Sequence, residues 1–308
     1  VSATNSIGID SIPAGSTCEY RLTASMPHFL QSRTYTVLVG DDGKTTVDGA
    51  SYSQSNPLEI RLDLDKGAAA SSMEKIDLTV LNRVSRPTAL EGGTILPSYL
   101  FAMFSPSGWE NSTLLLNLAD WSVASRSSIR EMGHANDLCY VPSQNRIYVA
   151  CMTNVVKVLD AVTLAEIPNS SIQTSSVYHA VSYDAANDCF VLIANSKTGA
   201  RVDIAKLVSN SFQVFRSFSI KTNLTYQGAE VYNSLIYYTC WERGSVSGYQ
   251  DVYDGVLNKN DNVIYVYDLY GNHIKDYYIP APADGRKFEL ETISFLNGQM
   301  ILQFNDGS

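Results

Sequence analysis

Asn136-Asp137-Leu138-Cys139-Tyr140-Val141-Pro142-Ser143-Gln144-Asn145-Arg146-Ile147-Tyr148-Val149 is a strand, a Pro-Ser-Gln-Asn turn and a second strand. It returns as His179-Ala180-Val181-Ser182-Tyr183-Asp184-Ala185-Ala186-Asn187-Asp188-Cys189-Phe190-Val191-Leu192. Tyr140 matches Tyr183, a step of 43 residues. Further copies begin near Glu230-Val231-Tyr232 and near Glu291-Thr292-Ile293-Ser294-Phe295, a step of 61 from Glu230 to Glu291. A period of roughly 40–50 residues built of short strands is the signature of propeller blades, because each unit must bury its apolar faces against a neighbour. The longer step is the same unit with an extra loop over 242–261.

The repeat therefore predicts a β-propeller over 94–308. Each blade is read as four strands, with inner strand a followed by b, c and outer d. In one blade they fall at 136–142, 146–151, 155–160 and about 163–168. The next blade runs over about 178–220, and another has strands at 229–232, 235–241, 262–268 and 273–279. The last copy offers 290–296 and 299–304, while Tyr99–Phe104, Thr113–Leu118 and Val123–Arg126 supply an early blade. One blade split between the two ends of this region gives four blades and two separate blades give five; five is adopted.

Residues 1–85 read differently. Cys18–Thr23, Thr34–Val39, Leu58–Leu64 and Ile76–Leu81 alternate with period two, and Asp41-Asp42-Gly43-Lys44 is a turn signal. This pattern predicts a β-sandwich of jelly-roll type, an attachment or carbohydrate-binding-like domain. Pro87 and Glu91-Gly92-Gly93 mark 86–93 as a linker. The fold class is thus all-β.

Composition narrows the function. With 45% hydrophobic and 17% charged residues the 308-residue chain can bury a large core. A net charge of −9 argues against nucleic acid as a partner, since phosphates require a basic face. No apolar run is long enough for a spanning helix, so membrane insertion is not expected. The chain opens without Met or a leader-like apolar stretch, which suggests a piece of something longer. Five cysteines show no zinc spacing, and those inside strand patterns read as small buried hydrophobes.

Propeller geometry points to the face from which the d–a and b–c loops emerge. Asp137, Glu230 and Glu291 stand at the starts of inner strands, with His134, Asn136 and His179 beside them. Carboxylates are hard donors suited to a divalent cation such as calcium, and they also bond sugar hydroxyls. The same residues equally serve to cap blade backbones or to line a wet channel. The b–c loops of this face carry Trp109, Tyr249 and Tyr253, with Trp241 just before the longer loop; aromatic rings are stacking platforms for sugars. Asp251 and Asp254 are further candidate calcium ligands, although they do not match an EF-hand loop. No Gly-x-Ser-x-Gly, His-Glu-x-x-His, P-loop or sialidase-type box is present, so no catalytic residue is assigned.

Gly133-His134-Ala135-Asn136-Asp137 with its following strand, and Asn262–Asn272, resemble blades of phage tail-associated and bacterial-surface propeller proteins. Bacteriocins related to helveticin J share the style. The front unit, with Gly15–Tyr20 and the run after Arg33, is similar to phage fibre and baseplate modules. This resemblance implies a non-enzymatic phage tail or receptor-binding component, located in the virion or at the cell surface. Its expected partners are bacterial surface glycan and other virion or sister subunits. Two alternatives stand beside it. One is a metal-assisted hydrolase of a surface polymer using the acidic mouth; the other is a purely structural virion protein.

Overall fold

A computed structural model describes residues 17–25, 32–40, 45–47, 50–52, 88–106, 110–130, 132–197, 199–243 and 257–306. The chain divides into two compact units, Val1–Lys66 and Gly67–Ser308. In the first, β1 (Thr17–Ser25), β2 (Ser32–Gly40), β3 (Thr45–Val47) and β4 (Ala50–Tyr52) form one antiparallel sheet in chain order. The expected strands at 58–64 and 76–81, and with them the second layer of the expected sandwich, lie outside the described residues.

The second unit is a β-propeller. Its first blade is β5 (Thr88–Ile95), β6 (Tyr99–Pro106), β7 (Glu110–Asn117) and β8 (Val123–Arg130). The next holds β9 (Asp137–Val141), β10 (Arg146–Ala150), β11 (Val155–Asp160) and β12 (Ile172–Gln173). The third holds β13 (Tyr178–Asp184), β14 (Cys189–Ser196), β15 (Gly199–Val208) and β16 (Ser211–Lys221). The fourth holds β17 (Thr225–Tyr232), β18 (Leu235–Trp241), β19 (Asn262–Asp268) and β20 (His273–Ile279). A two-stranded sheet, β21 (Phe288–Leu296) with β22 (Gln299–Asp306), follows. Among the described residues four four-stranded blades are present where the sequence reading expects five, and the two-stranded β21–β22 sheet lies between β17 and β5. The inner strands close a ring: β5 lies against β9, β9 against β13, β13 against β17, β17 against β21 and β21 against β5.

Local chemistry builds these hairpins. Ser209-Asn210 and Asn233-Ser234 have both residues at positive φ, as do Asn297-Gly298, so each forms a two-residue turn whose twist matches its strands. Alternating apolar side chains then face the neighbouring blades. Ile193, Val202 and Ile204 of the third blade pack with Val231, Tyr238 and Tyr265 of the fourth. Tyr148 and Val158 meet Phe190 and Leu192 across the preceding junction, and Phe101 and Met103 meet Leu138 and Ile147 before that. Each cluster lies between blades, so no blade can bury its apolar faces alone.

Two expectations are corrected. Residues 88–93, read as part of a linker, belong to β5, the inner strand of the first blade. The glycines there answer crowding rather than flexibility. A Cβ on Gly92 would stand 3.1 Å from Asp137 Cα, and the Gln303 side-chain amide fills the space a Gly93 side chain would need. The outer strand expected at 163–168 is instead β12, at 172–173. Asp160 Oδ1 accepts from the amides of Val162 and Thr163 and holds this stretch in a turn, with one isolated bridge from Leu159 to Glu166.

Candidate functional site

The inner strands converge on one carboxyl group. Asp137 is fully buried at the start of β9, and its Oδ2 accepts from the backbone amides of Val181 on β13 (3.1 Å) and Ala229 on β17 (3.0 Å). Thr292 Oγ1 on β21 donates to Oδ1 at 3.2 Å. Gly92 of β5 and Gly228 of β17 leave room for it; a Cβ on Gly228 would lie 2.8 Å from Oδ1. Burial raises the Asp137 pKa to about 8, against the opposing pull of those amide bonds. The residue expected as a metal ligand at an open mouth is thus the fastening of the ring. Glu230 lies beyond it, partly exposed, with Ser182 Oγ donating to Oε2 at 3.4 Å. Burial, then Asp137, raises its pKa well above the carboxylate range.

Just before this level, β-bulges interrupt four inner strands, and a bulge re-aims the residue it carries. Glu91 stands at the bulge of β5, His179 at that of β13, Gln227 at that of β17 and Glu291 at that of β21. Asn136 precedes β9 at the corresponding place, its Nδ2 donating to His179 O at 2.8 Å. All five are buried polar residues. His179 stacks on Tyr226 at 4.3 Å and meets Tyr238 OH through Nε2 at 3.2 Å. Burial drives its pKa down to about 3, so the ring is neutral, and Nδ1 has no partner among the described residues.

One arc of this level reaches solvent. His134, with half its side chain exposed, lies 3.0 Å from Glu91 Oε2 through Nε2. Burial, then Glu289, raises the Glu91 pKa to about 9, while burial lowers that of His134. Near neutral pH the contact is a carboxylic acid donating to a neutral imidazole, not an ion pair. Lys287 Nζ pairs with Glu289, and Gln227 Nε2 donates to Glu289 Oε1 at 2.6 Å. Asn305 Nδ2 donates to Glu291 Oε1, whose pKa is raised well above the ordinary range by burial and then by Glu289 and Glu91. The Lys287 ammonium sits 5.4 Å from the Trp241 ring centre. Trp241 is itself buried, so it is not the exposed stacking platform expected at the end of β18, and its Nε1 has no partner among the described residues.

The structure thus brings His134, Glu291 and Trp241 to one rim, and sets His179, Asp137 and Glu230 inside the ring. Trp109, Tyr249, Tyr253, Asp251 and Asp254 lie outside the described residues. The long b–c insertion leaves from a closed neck, where Glu242 N donates to Asp261 O and Asn260 N to Glu242 O, each at 2.8 Å. Asp261 pins that neck by accepting from Tyr278 OH and Ala281 N. Among the described residues no group of three or more His, Cys, Asp and Glu is arranged to hold a metal ion. Sequence reasoning missed Glu91, Gln227, Lys287 and Glu289. The pairing of Leu90-Glu91 with Leu290-Glu291 was the signal for the first, since both dipeptides open inner strands that lie side by side.

No family model matches the chain, and no curated protein matches it. Among solved structures it is similar to Kuenenia stuttgartiensis hydrazine synthase, with TM-score 0.41 and 14% identity over 88% of this chain and 69% of that one. It is also similar to BamB from Moraxella catarrhalis, with TM-score 0.36 and 11% identity over 87% of this chain and 66% of that one.

Proposed function

We propose that this chain is a non-enzymatic binding protein, a phage tail or receptor-binding component, whose partly exposed His134 and Lys287, backed by the buried Glu91, Glu289 and Gln227, engage a hydroxylated surface glycan. One observation carries the reading. The rim is dense in polar groups, yet burial pushes the Glu91 carboxyl up to about 9 and the Glu291 carboxyl well above the ordinary range, and Glu289 is matched by Lys287. Protonated carboxyls and amides both donate and accept, which complements hydroxyl groups better than it complements a bare cation. Trp109, Tyr249 and Tyr253, on loops assigned to this same face, are proposed as stacking surfaces. We count β21–β22 as the inner half of a fifth blade, and assign to the first unit the role of attachment to the particle or to sister chains. The virion role rests on the blade style of 133–149 and 262–272.

The test is titration of purified bacterial surface polysaccharides onto the protein by calorimetry, with His134→Ala and Lys287→Ala as variants. Both side chains are partly exposed, so the fold should survive their loss. Binding should weaken at least about tenfold, as when a site loses hydrogen-bonding groups to its ligand. Unchanged affinity in the double variant would remove this rim as the site.

A further inference from the structure

The outer strand of the third blade is a second surface with features of its own. At 11 residues, β16 is longer than any other described strand, and it has β15 on one side only. Apart from those made to β15, no backbone–backbone hydrogen bond among the described residues involves Ser211–Lys221. Beyond the β15 ladder, its outer amides and carbonyls have no backbone partner among the described residues, the arrangement that accepts an added strand. A register shift opposite Ile204/Ala205 leaves Phe215 as the extra residue. Phe215 is 55% exposed and Val214 45% exposed, so two large apolar side chains stand on a free edge. Edges are protected by proline, shortness, bulges or charge; this long strand has no proline, and its protection is limited to the bulge at Phe215 and the charges of Arg216 and Lys221.

Charge selects the partner. The chain as a whole is strongly acidic, at −9, yet β16 contains no acidic residue and carries Arg216 and Lys221. On β15, Arg201 is matched by Asp203, and Lys206 lies 3.6 Å from Asp188. Arg216 and Lys221 have no carboxylate partner among the described residues. Arg216 is held in place, its guanidinium 4.1 Å from the Tyr270 ring centre and donating to Leu269 O at 3.1 Å. That geometry leaves a fixed positive charge beside an unpaired strand edge.

We propose that β16 is a docking edge for an acidic extended segment of another protein, which adds to the third blade as a further strand. Main-chain hydrogen bonds supply affinity, while Arg216 and Lys221 select acidic side chains and disfavour basic ones. This surface is independent of the glycan rim, and either reading can fail without the other.

The experiment uses the full chain and two soluble peptides of about ten residues, long enough to span the strand. In one peptide Glu alternates with Val and Thr; in the other Lys replaces each Glu. Amide hydrogen exchange is followed together with fluorescence titration. The acidic peptide should slow exchange at Ser211–Lys221 and bind at least about tenfold more tightly than its lysine counterpart, with salt weakening the interaction. Phe215→Glu combined with Lys221→Glu, both exposed positions, should abolish that protection while circular dichroism is unchanged. Equal binding of the two peptides, or protection elsewhere on the propeller, overturns the proposal. Slowed exchange at β16 that depends only on protein concentration overturns it in favour of pairing between two copies of this chain.

Discussion

Replacing Asp137 separates two accounts of the ring. Asp137→Ala leaves the amides of Val181 and Ala229 buried with no acceptor, while the Thr292 hydroxyl can turn away. An unsatisfied buried donor costs roughly 1–3 kcal/mol, so two of them cost about 2–6 kcal/mol. That is a large share of the roughly 5–15 kcal/mol that holds a typical domain together. Asp137→Asn keeps the volume and one carbonyl oxygen for both amides, and its NH₂ can donate to Thr292 Oγ1. With the Asp137 pKa raised to about 8, the native group at pH 7 is mainly the neutral acid, which the amide imitates closely. We therefore expect Asp137→Asn to lose less than about 1 kcal/mol and Asp137→Ala several times more. Urea unfolding followed by tryptophan fluorescence measures both. Equal damage from the two variants would refute the neutral-acid account, and a loss below about 1 kcal/mol for Asp137→Ala would refute the fastening itself.

Stability should fall as pH rises from about 6.5 to 9. Asp137 at about 8 and Glu91 at about 9 have folded pKa values above their unfolded ones, so their contribution is complete below the unfolded carboxylate range and is lost as pH climbs through the folded values. Below about 6.5 His179, held neutral with its pKa near 3, works the other way, because the unfolded chain takes up its proton; melting temperature against pH should therefore bend near that point. Gly228→Ala should destabilise by roughly 1–3 kcal/mol in the same urea assay, because the new methyl meets Asp137 Oδ1, Glu291 O and Thr292 Oγ1 all within 2.9 Å. Cys139, Cys151, Cys189 and Cys240 are buried thiols, with burial raising the thiol pKa of Cys139, Cys151 and Cys189, so a thiol reagent should label these four only after unfolding. Labelling at the native unfolding midpoint or later, resolved by mass spectrometry, is the expected result; rapid labelling in buffer would contradict the packing.

The propeller was legible because its repeat is local. Strand, turn and strand are contiguous in 136–149 and 179–192, and their hairpin registers follow from turn residues and alternation alone. The same locality misled at 86–93. Two adjacent glycines signal a bend when only neighbours along the chain are considered, but here they make way for Asp137 and for Gln303, 210 positions beyond Gly93 in number. The candidate site was legible in part for a related reason. His134 and Glu291 stood out by residue type and by place in the repeat, whereas Glu91 was hidden by its misread strand.

Sequence by itself determined the strand-rich class, the blade period, the break in that period at 242–261 and the inner-strand positions at which polar side chains gather. Tertiary structure decided what those side chains do. A carboxylate written at a strand start reads as charged and available; once inner strands from around the ring surround it, desolvation returns its proton, two backbone amides claim one oxygen and a threonine hydroxyl the other. Burial and partners are properties of residues far apart in the chain, so Asp137 could become a fastening, Trp241 a buried ring and Glu91 a neighbour of Glu289 only when the ring closed.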